Sequence, residues 1–179
     1  IKSILLVLNY QKKGTIMNHI KQNDLLHSNR RLFVIDIENA VGNGKLTPES
    51  VAAEVRRIQE FYSFDDNDMA VLGVSHSANV FPAAERAGAR IVLGKGENGA
   101  DIALKKVLNE ERLDERFQEL ILVSGDGIFT DDVEKLRAAG TKVTVDSRKR
   151  SLSRLLEVAA TIVFFSVKEQ KHCALPVEK

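Results

Sequence analysis

The feature that most constrains the fold is the alternation of short apolar runs with segments of helical periodicity. The runs are rich in Val, Ile and Leu, as is typical of strands buried on both faces. The predicted strands are residues 32–37, 69–74, 90–94, 120–123, 141–145 and 161–165. Strands that alternate with helices form a parallel sheet with right-handed crossovers. The sequence therefore predicts an α/β fold, a three-layer α/β/α sandwich around a mainly parallel central sheet.

Local signals place helices between these strands. Residues 47–49, Thr-Pro-Glu, are typical of a helix start, with a capping hydroxyl, a proline at the first position and an acid in the first turn. The apolar face of this helix is predicted to hold Val51, Val55, Ile58 and Phe61 or Tyr62. A turn or helix is expected around Pro82, and a helix over residues 102–108. Two more are expected to begin at caps formed by Thr130 and Ser151, the second burying Leu152, Leu155 and Leu156.

Composition narrows the class of protein. The 179 residues are 44% hydrophobic and 28% charged, which is ordinary for one globular domain. The net charge of +1 means that nucleic-acid binding requires a local basic patch. The single cysteine, Cys173, allows no disulfide within the chain, and the early apolar run at residues 4–8 is too short to cross a membrane. We expect a cytoplasmic protein with an N-terminal extension over residues 1–30, a domain over 31–166 and a polar tail over 167–179.

Three acids follow predicted strands at the edge where α/β folds bind ligands. Asp36 ends the first strand, Asp101 begins a helix after the third, and Asp126 follows the fourth. Each acid alone is also typical of a turn or a helix cap. Together, converging carboxylates repel one another unless a cation lies between them, and oxygen ligands suit Mg²⁺ or Mn²⁺. Such a metal activates water against a phosphodiester and stabilises the leaving oxygen, so the pattern indicates phosphodiester hydrolysis.

Basic residues are predicted at the same edge. Arg148, Lys149, Arg150 and Ser151 precede a helix and offer cations, a hydroxyl and free backbone amides to phosphate groups, although each residue alone is also typical of a solvated loop. Lys95 lies in the stretch GKGENG, which lacks the Gly-Lys-Ser/Thr of a Walker A loop. His76, after the second strand, is a weaker candidate for a general acid or a base-stacking contact.

Four segments together resemble the NYN domain of the PIN-like nuclease superfamily, over roughly residues 31–166. In order they are LFVIDIENAVGNG, NGADIALKKVL, LILVSGDGIFTDDVEKLRAAGTKVTV and RSLSRLLEVAATIVFF. The resemblance implies a metal-dependent ribonuclease with Asp36, Asp101 and Asp126 as acidic site residues. It also implies that Asn39 orients Asp36 or a bound water and that Ser124 supports the turn around Asp126. A bacterial branch that carries SGDGIF is the most similar.

One position departs from the family pattern. Many NYN and PIN domains carry a second acid where this chain has Ile128, and the late acid near Thr161 is also missing. Glu38, Asp131 and Asp132 are candidate substitutes. Because these acids are missing, a second hypothesis is a catalytically weak or inactive domain that binds RNA or a protein. Association of the chain with a second copy of itself is a further hypothesis. A phosphatase of the haloacid dehalogenase type is a third reading, but it requires Asp-x-Asp where this chain has Asp36-Ile-Glu38.

Overall fold

The structure is a computed structural model that describes residues 30–42, 46–75, 84–85 and 88–165. The predicted N-terminal extension and polar tail, the segment around Pro82, His76 and Cys173 lie outside these residues. None of the helices in the described ranges is both long and apolar enough to cross a membrane.

The core of the domain is a six-stranded, fully parallel sheet. The strands are β1 (Arg31–Asp36), β2 (Met69–Val74), β3 (Arg90–Leu93), β4 (Glu119–Val123), β5 (Lys142–Ser147) and β6 (Ile162–Phe165). Their spatial order is β3-β2-β1-β4-β5-β6. From β1 the chain adds β2 and then β3 on one side, and it then adds β4, β5 and β6 on the other side of β1. This reversal between β1 and β4 creates a crevice at the carboxyl ends of the two central strands, where ligands bind in such sheets.

Helices cover both faces of the sheet, which confirms the predicted α/β/α sandwich. The helices are α1 (Ile37–Val41), α2 (Pro48–Phe61), α3 (Gly99–Glu110), α4 (Thr130–Ala138) and α5 (Arg154–Ala159). Along β1, Phe33 and Ile35 pack with residues of α1 and α2, whereas Leu32 and Val34 pack with residues of α3, α4 and α5. All four side chains are almost fully buried. Burial on both faces explains why the strands are continuous apolar runs and not alternating patterns.

The first long helix shows how far local signals determined the structure. Thr47 caps α2 through a capping box with Ser50, as the Thr-Pro-Glu start predicted. Val51, Val55 and Ile58 are buried, also as predicted, but Phe61 is 47% exposed. Phe61 contacts the ring of Tyr62, which follows the helix, and the ring of Phe164 on β6. Tyr62, the predicted alternative to Phe61, is partly buried against the core, so the helical period predicted the buried face with Phe61 as the exception.

Three predicted boundaries were wrong. Ile37 begins α1 and does not continue the strand, because the Asp36 carboxylate caps that helix. Thr130 is the first residue of α4 and not its cap, since its hydroxyl donates to the Gly127 carbonyl at 2.7 Å and closes a preceding 3₁₀ turn, Gly127–Phe129.

The third error concerns the last helix. Ser151 belongs to a turn in which its N–H donates to the Arg148 carbonyl, and Ser153 is the residue that precedes α5. Leu156 is buried and Leu152 packs partly buried against the core, both as predicted, whereas Leu155 is 69% exposed, contrary to the prediction. The turn around Ser151 packs against the loop after β4, and that tertiary contact sets where the helix begins.

Candidate functional site

Asp36 lies at the reversal of strand order and is fixed by the chain around it. Its side chain is 4% exposed. One carboxylate oxygen accepts the backbone N–H of Asn39 at 3.1 Å, and the other accepts the Ser124 hydroxyl at 2.9 Å. The first bond exists because β1 passes directly into α1, and the second because β4 lies beside β1. Asp36 is therefore held between the ends of the two central strands.

The same contacts shape the turn that carries Asp126. The Asn39 side-chain oxygen accepts the N–H of Gly125 at 3.1 Å, and the Ser124 hydroxyl oxygen accepts the N–H of Asp126 at 3.2 Å. The Asp126 carboxylate then accepts the N–H of Ile128 at 3.0 Å. Asn39 and Ser124 thus join the two acid-bearing segments. These contacts agree with the supporting positions that the family resemblance implies, while a role in catalysis stays a prediction.

The two glycines around Asp126 provide space for a neighbouring loop. A Cβ atom at Gly125 would lie 2.4 Å from both the Ser147 hydroxyl and the Ser151 carbonyl oxygen, and one at Gly127 would lie 2.8 Å from the Ser153 hydroxyl. Neither glycine has a positive φ angle. Close packing therefore explains these glycines, and the loop after β5 lies directly against the Asp126 turn.

Asp101 reaches the same edge from the first turn of α3. It has no hydrogen-bond partner among the described residues, and its pKa is raised to about 6, mainly by burial and further by the charges of Asp36, Asp126 and Glu38. Burial likewise raises the pKa of Asp36, opposed by its two hydrogen bonds. Asp36, Glu38, Asp101 and Asp126, hereafter the acidic cluster, are thus electrostatically coupled, and none forms a salt bridge with a described residue.

Glu38 joins the cluster through a contact that the sequence did not reveal. Its carboxylate accepts the N–H of Ser75 at 2.9 Å and the Ser75 hydroxyl at 3.2 Å. The same hydroxyl oxygen accepts the N–H of Ala100, beside Asp101, at 3.0 Å. Glu38 therefore links the end of β2 to the start of α3. No local signal predicts this link, because it depends on the turn of the chain into α1.

The other two candidate substitutes for the missing acid are not among the charges that raise the pKa of Asp36 or of Asp101. Asp132 is 2% exposed and accepts the Lys105 ammonium at 2.5 Å and the Asn109 amide at 2.8 Å. Asp131 is exposed on α4. Lys105 also donates to the Ile128 carbonyl at 2.8 Å. Lys105 therefore connects α3 to the Asp126 turn and neutralises Asp132, which leaves Glu38 as the candidate that acts on Asp101.

The donor set of the acidic cluster fits a hard divalent cation. Carboxylate oxygens that carry uncompensated charge suit Mg²⁺ or Mn²⁺. Within the described ranges, no three His, Cys, Asp or Glu side chains are grouped closely enough to enclose a metal. The arrangement therefore fits a cation held by one or two carboxylates and completed by water or substrate oxygens, as is usual for Mg²⁺.

The predicted basic residues flank the acidic cluster. Lys149 and Arg150 are exposed in the loop after β5, and Ser151 contributes its carbonyl to the contact with Gly125. Arg148 is partly buried, and its guanidinium donates to the Gly42 carbonyl at 3.4 Å. Arg148 thus has a structural contact in addition to its charge.

Lys95 is exposed on the other side, after β3. Of the two glycines beside it, Gly94 has a packing role, since a Cβ atom there would lie 1.7 Å from the Gly99 carbonyl oxygen, whereas Gly96 has a positive φ angle of 80°.

A parallel α/β sheet with strand order 3-2-1-4-5-6 is a doubly wound fold, and the family match to this chain supports the PIN-like nuclease fold within that class. Within that class, the NYN domain family matches residues 31–168, and the chain belongs to this family. This match confirms the predicted family and favours the nuclease class over the phosphatase reading. Membership of a bacterial branch stays a prediction.

One solved structure agrees with the fold of this chain. The chain is similar to a protein of unknown function from Vibrio parahaemolyticus, with 19% identity and a TM-score of 0.57 over 78% of this chain and 93% of that chain. A putative oxidoreductase from Parabacteroides merdae matches at 14% identity and a TM-score of 0.38, over 79% of this chain and 32% of that chain. No curated protein matches.

Proposed function

We propose that this domain is a metal-dependent ribonuclease that hydrolyses RNA phosphodiester bonds. The observation that carries the proposal is the acidic cluster, whose four carboxylates form no salt bridge with described residues at the crevice where α/β sheets bind ligands. Asp36 is buried, Glu38 and Asp101 are partly buried, and Asp126 is exposed. Like charges brought together in this way are unfavourable for folding, and they are typical of sites that bind a cation. The site of a nuclease of the PIN-like class would have this character.

The cluster divides into a rigid part and a freer part. Asp36 is fixed by two hydrogen bonds, and Asp126 is oriented by the N–H of Ile128. Asp101 has no such bond within the described ranges, so its carboxylate is free to turn toward a ligand. One or two of Asp36, Asp101 and Asp126 would bind Mg²⁺ or Mn²⁺ directly, and the remaining acid would act through bound water. When bound, the metal supplies an activated water and stabilises charge on the leaving oxygen.

RNA is the proposed partner because the acidic cluster has basic neighbours. Lys149 and Arg150 project from a loop that touches the Asp126 turn, and cations at that distance attract the phosphates on either side of a cleavage point. Arg148, held at Gly42, would contribute charge from a fixed position. A cytoplasmic setting, and association with a second copy or another protein, are part of the same proposal.

The proposal is tested by Asp126→Asn, assayed on a mixed RNA pool in Mn²⁺, in Mg²⁺ and in excess chelator. An asparagine oxygen still accepts the N–H of Ile128, so the turn is expected to fold while metal affinity and cleavage are lost. Asp131→Asn, at an exposed acid on α4, is the matched control and should cleave like the wild type. Removal of the only oriented carboxylate of the turn should lower cleavage at least a hundredfold, roughly 3 kcal/mol in transition-state stabilisation.

A domain that binds RNA without cutting it is the second candidate. It is favoured by Ile128 in place of an acid and by the lack of a closed metal group in the described ranges. Wild-type protein that binds RNA but cleaves none of it in either metal would establish this alternative. Carboxylate NMR signals that do not respond to millimolar Mn²⁺ would support it as well. Hydrolysis of small phosphomonoesters without RNA cleavage would instead support the phosphatase reading.

A further inference from the structure

A second surface beside the acidic cluster has the chemistry of a nucleotide-binding cleft. It lies at the outer edge of the sheet, between the end of β3 and the first turns of α3, and has a volume of about 190 Å³. Its lining residues are Leu93, Gly94, Lys95, Gly99, Ile102, Ala103 and Lys106. We call this surface the β3–α3 cleft. The backbones of Gly94 and Gly99 approach each other closely and close the loop behind the cleft.

The cleft exposes apolar surface that the fold itself does not use. Leu93 is 58% exposed and Ile102 is 52% exposed, although both lie on regular elements of secondary structure. Other residues of α3, such as Leu104 and Val107, are buried in the core. An exposed pair of large aliphatic side chains at a cleft offers contact area for the flat, apolar face of a ring.

Two free cations border the same cleft. Lys95 and Lys106 are exposed, and neither forms an ion pair within the described part of the chain. Lys105, the next residue on α3, is by contrast occupied with Asp132. A cleft with an apolar floor and two uncompensated ammonium groups is complementary to a ligand that combines a flat ring with negative charge.

The order of the strands aligns this cleft with the acidic cluster. Asp101 and Ile102 are neighbours in the first turn of α3, so the cleft begins where the cluster ends. Along the edge of the sheet, Lys95 follows β3, the acids follow the central strands β1 and β4, and the basic loop follows β5. Cations therefore flank the cluster on both sides, separated by four strand spacings of about 4.8 Å each.

We propose that the β3–α3 cleft receives an unpaired base of single-stranded RNA next to the phosphate that lies at the acidic cluster. Leu93 and Ile102 contact the face of the base, and Lys95 and Lys106 bind the phosphates beside it. A base within a duplex is paired and stacked on its neighbours, so it cannot enter the cleft. The inference rests on the proposed function for the location of the substrate and adds a subsite, the β3–α3 cleft, for one unpaired base beside the acidic cluster.

The first test measures binding, which separates the cleft from the chemistry. All variants are made in the full chain that carries Asp126→Asn, and the affinity for a fluorescent single-stranded RNA of mixed sequence is measured by anisotropy. Leu93→Ser with Ile102→Ser should weaken binding roughly tenfold, as expected for loss of one base contact. Val158→Ser is the matched control, because Val158 is 70% exposed on α5 and distant from the cleft in strand order.

The second test measures charge and strandedness. Lys95→Ala with Lys106→Ala should reduce the dependence of log K on log salt by about 1.4, the value for two phosphate contacts on a single strand. Lys142 is the first residue of β5 and lies at the amino ends of the strands, away from the cleft, so Lys142→Ala should leave that slope unchanged. The starting protein should also prefer the single strand to its duplex, and the apolar variant should lose this preference.

The outcomes distinguish the two proposals. If the apolar pair and its control bind RNA equally, or if the duplex binds as tightly as the single strand, the cleft is not a base subsite, whatever the wild-type protein cleaves. If wild-type protein cleaves no RNA while the cleft variants still lose affinity, the ribonuclease proposal fails and the subsite stands as part of an RNA-binding domain.

Discussion

Replacement of Asp101 by asparagine should stabilise the fold while removing activity. The pKa of Asp101 is raised from 3.8 to about 6, so its charged form is disfavoured in the folded state at neutral pH. A rise of about two pH units corresponds to roughly 3 kcal/mol, and screening of this partly exposed carboxylate reduces that to about 1 kcal/mol. Asp101→Asn should therefore raise the Tm at pH 7 by about 3 °C.

The gain in Tm from Asp101→Asn should increase as the pH rises. A carboxyl group with a raised pKa binds more protons in the folded than in the unfolded state, so the wild type loses stability as the pH rises from about 4 through about 6. Asparagine has no such loss. The difference in Tm between variant and wild type should be near zero at pH 4 and complete above pH 7.

Scanning calorimetry in chelator from pH 4 to 8 measures this difference, with Asp131→Asn as the control at an exposed acid. Addition of Mn²⁺ should then raise the Tm of the wild type and not that of Asp101→Asn, because a ligand that binds the folded state stabilises it. The cleavage rate of the wild type should fall as the pH drops below about 6, where Asp101 gains a proton. A variant Tm equal to that of the wild type at every pH would refute the raised pKa of Asp101, which burial and the neighbouring carboxylates are expected to cause.

Two other substitutions test the framework around the cluster. Lys105→Met leaves the buried Asp132 without its cation and should lower the free energy of unfolding by about 2–3 kcal/mol. The loss is smaller than for a fully buried pair because Lys105 is partly exposed and Asn109 still donates to Asp132. Denaturant unfolding measures the loss, and wild-type stability in Lys105→Arg would show that the charge, and not the shape of the side chain, is required. Gly125→Ala would place a Cβ atom 2.4 Å from the Ser151 carbonyl oxygen, so we expect about 1–3 kcal/mol of destabilisation. Displacement of the basic loop should also weaken RNA binding. An unchanged affinity for RNA would show that the basic loop is not part of the RNA site.

Prediction from the sequence succeeded where one local signal decides the outcome. Val51, Val55 and Ile58 are buried because the helical period places them on one face, and Thr47 caps α2 because its hydroxyl reaches a free N–H within the same turn. It failed at Ser151, where a distant contact with the turn around Gly125 determines where α5 begins. Local patterns determine elements, whereas their ends depend on packing.

The sequence by itself determined the parallel sheet and the family, since apolar runs and motif spacing are local properties of the chain. It also predicted that Asp36, Asp101 and Asp126 lie at one edge of the sheet, and their role in a functional site stays a prediction. The tertiary structure alone decided that Glu38 joins these acids through Ser75, and that the candidate substitute Asp132 is occupied by Lys105. It also explains why Asp126 lies between two glycines, because side chains at those positions would collide with the loop that follows β5. The physical reason is that side-chain partners distant in sequence become neighbours only after the order and register of the strands are set.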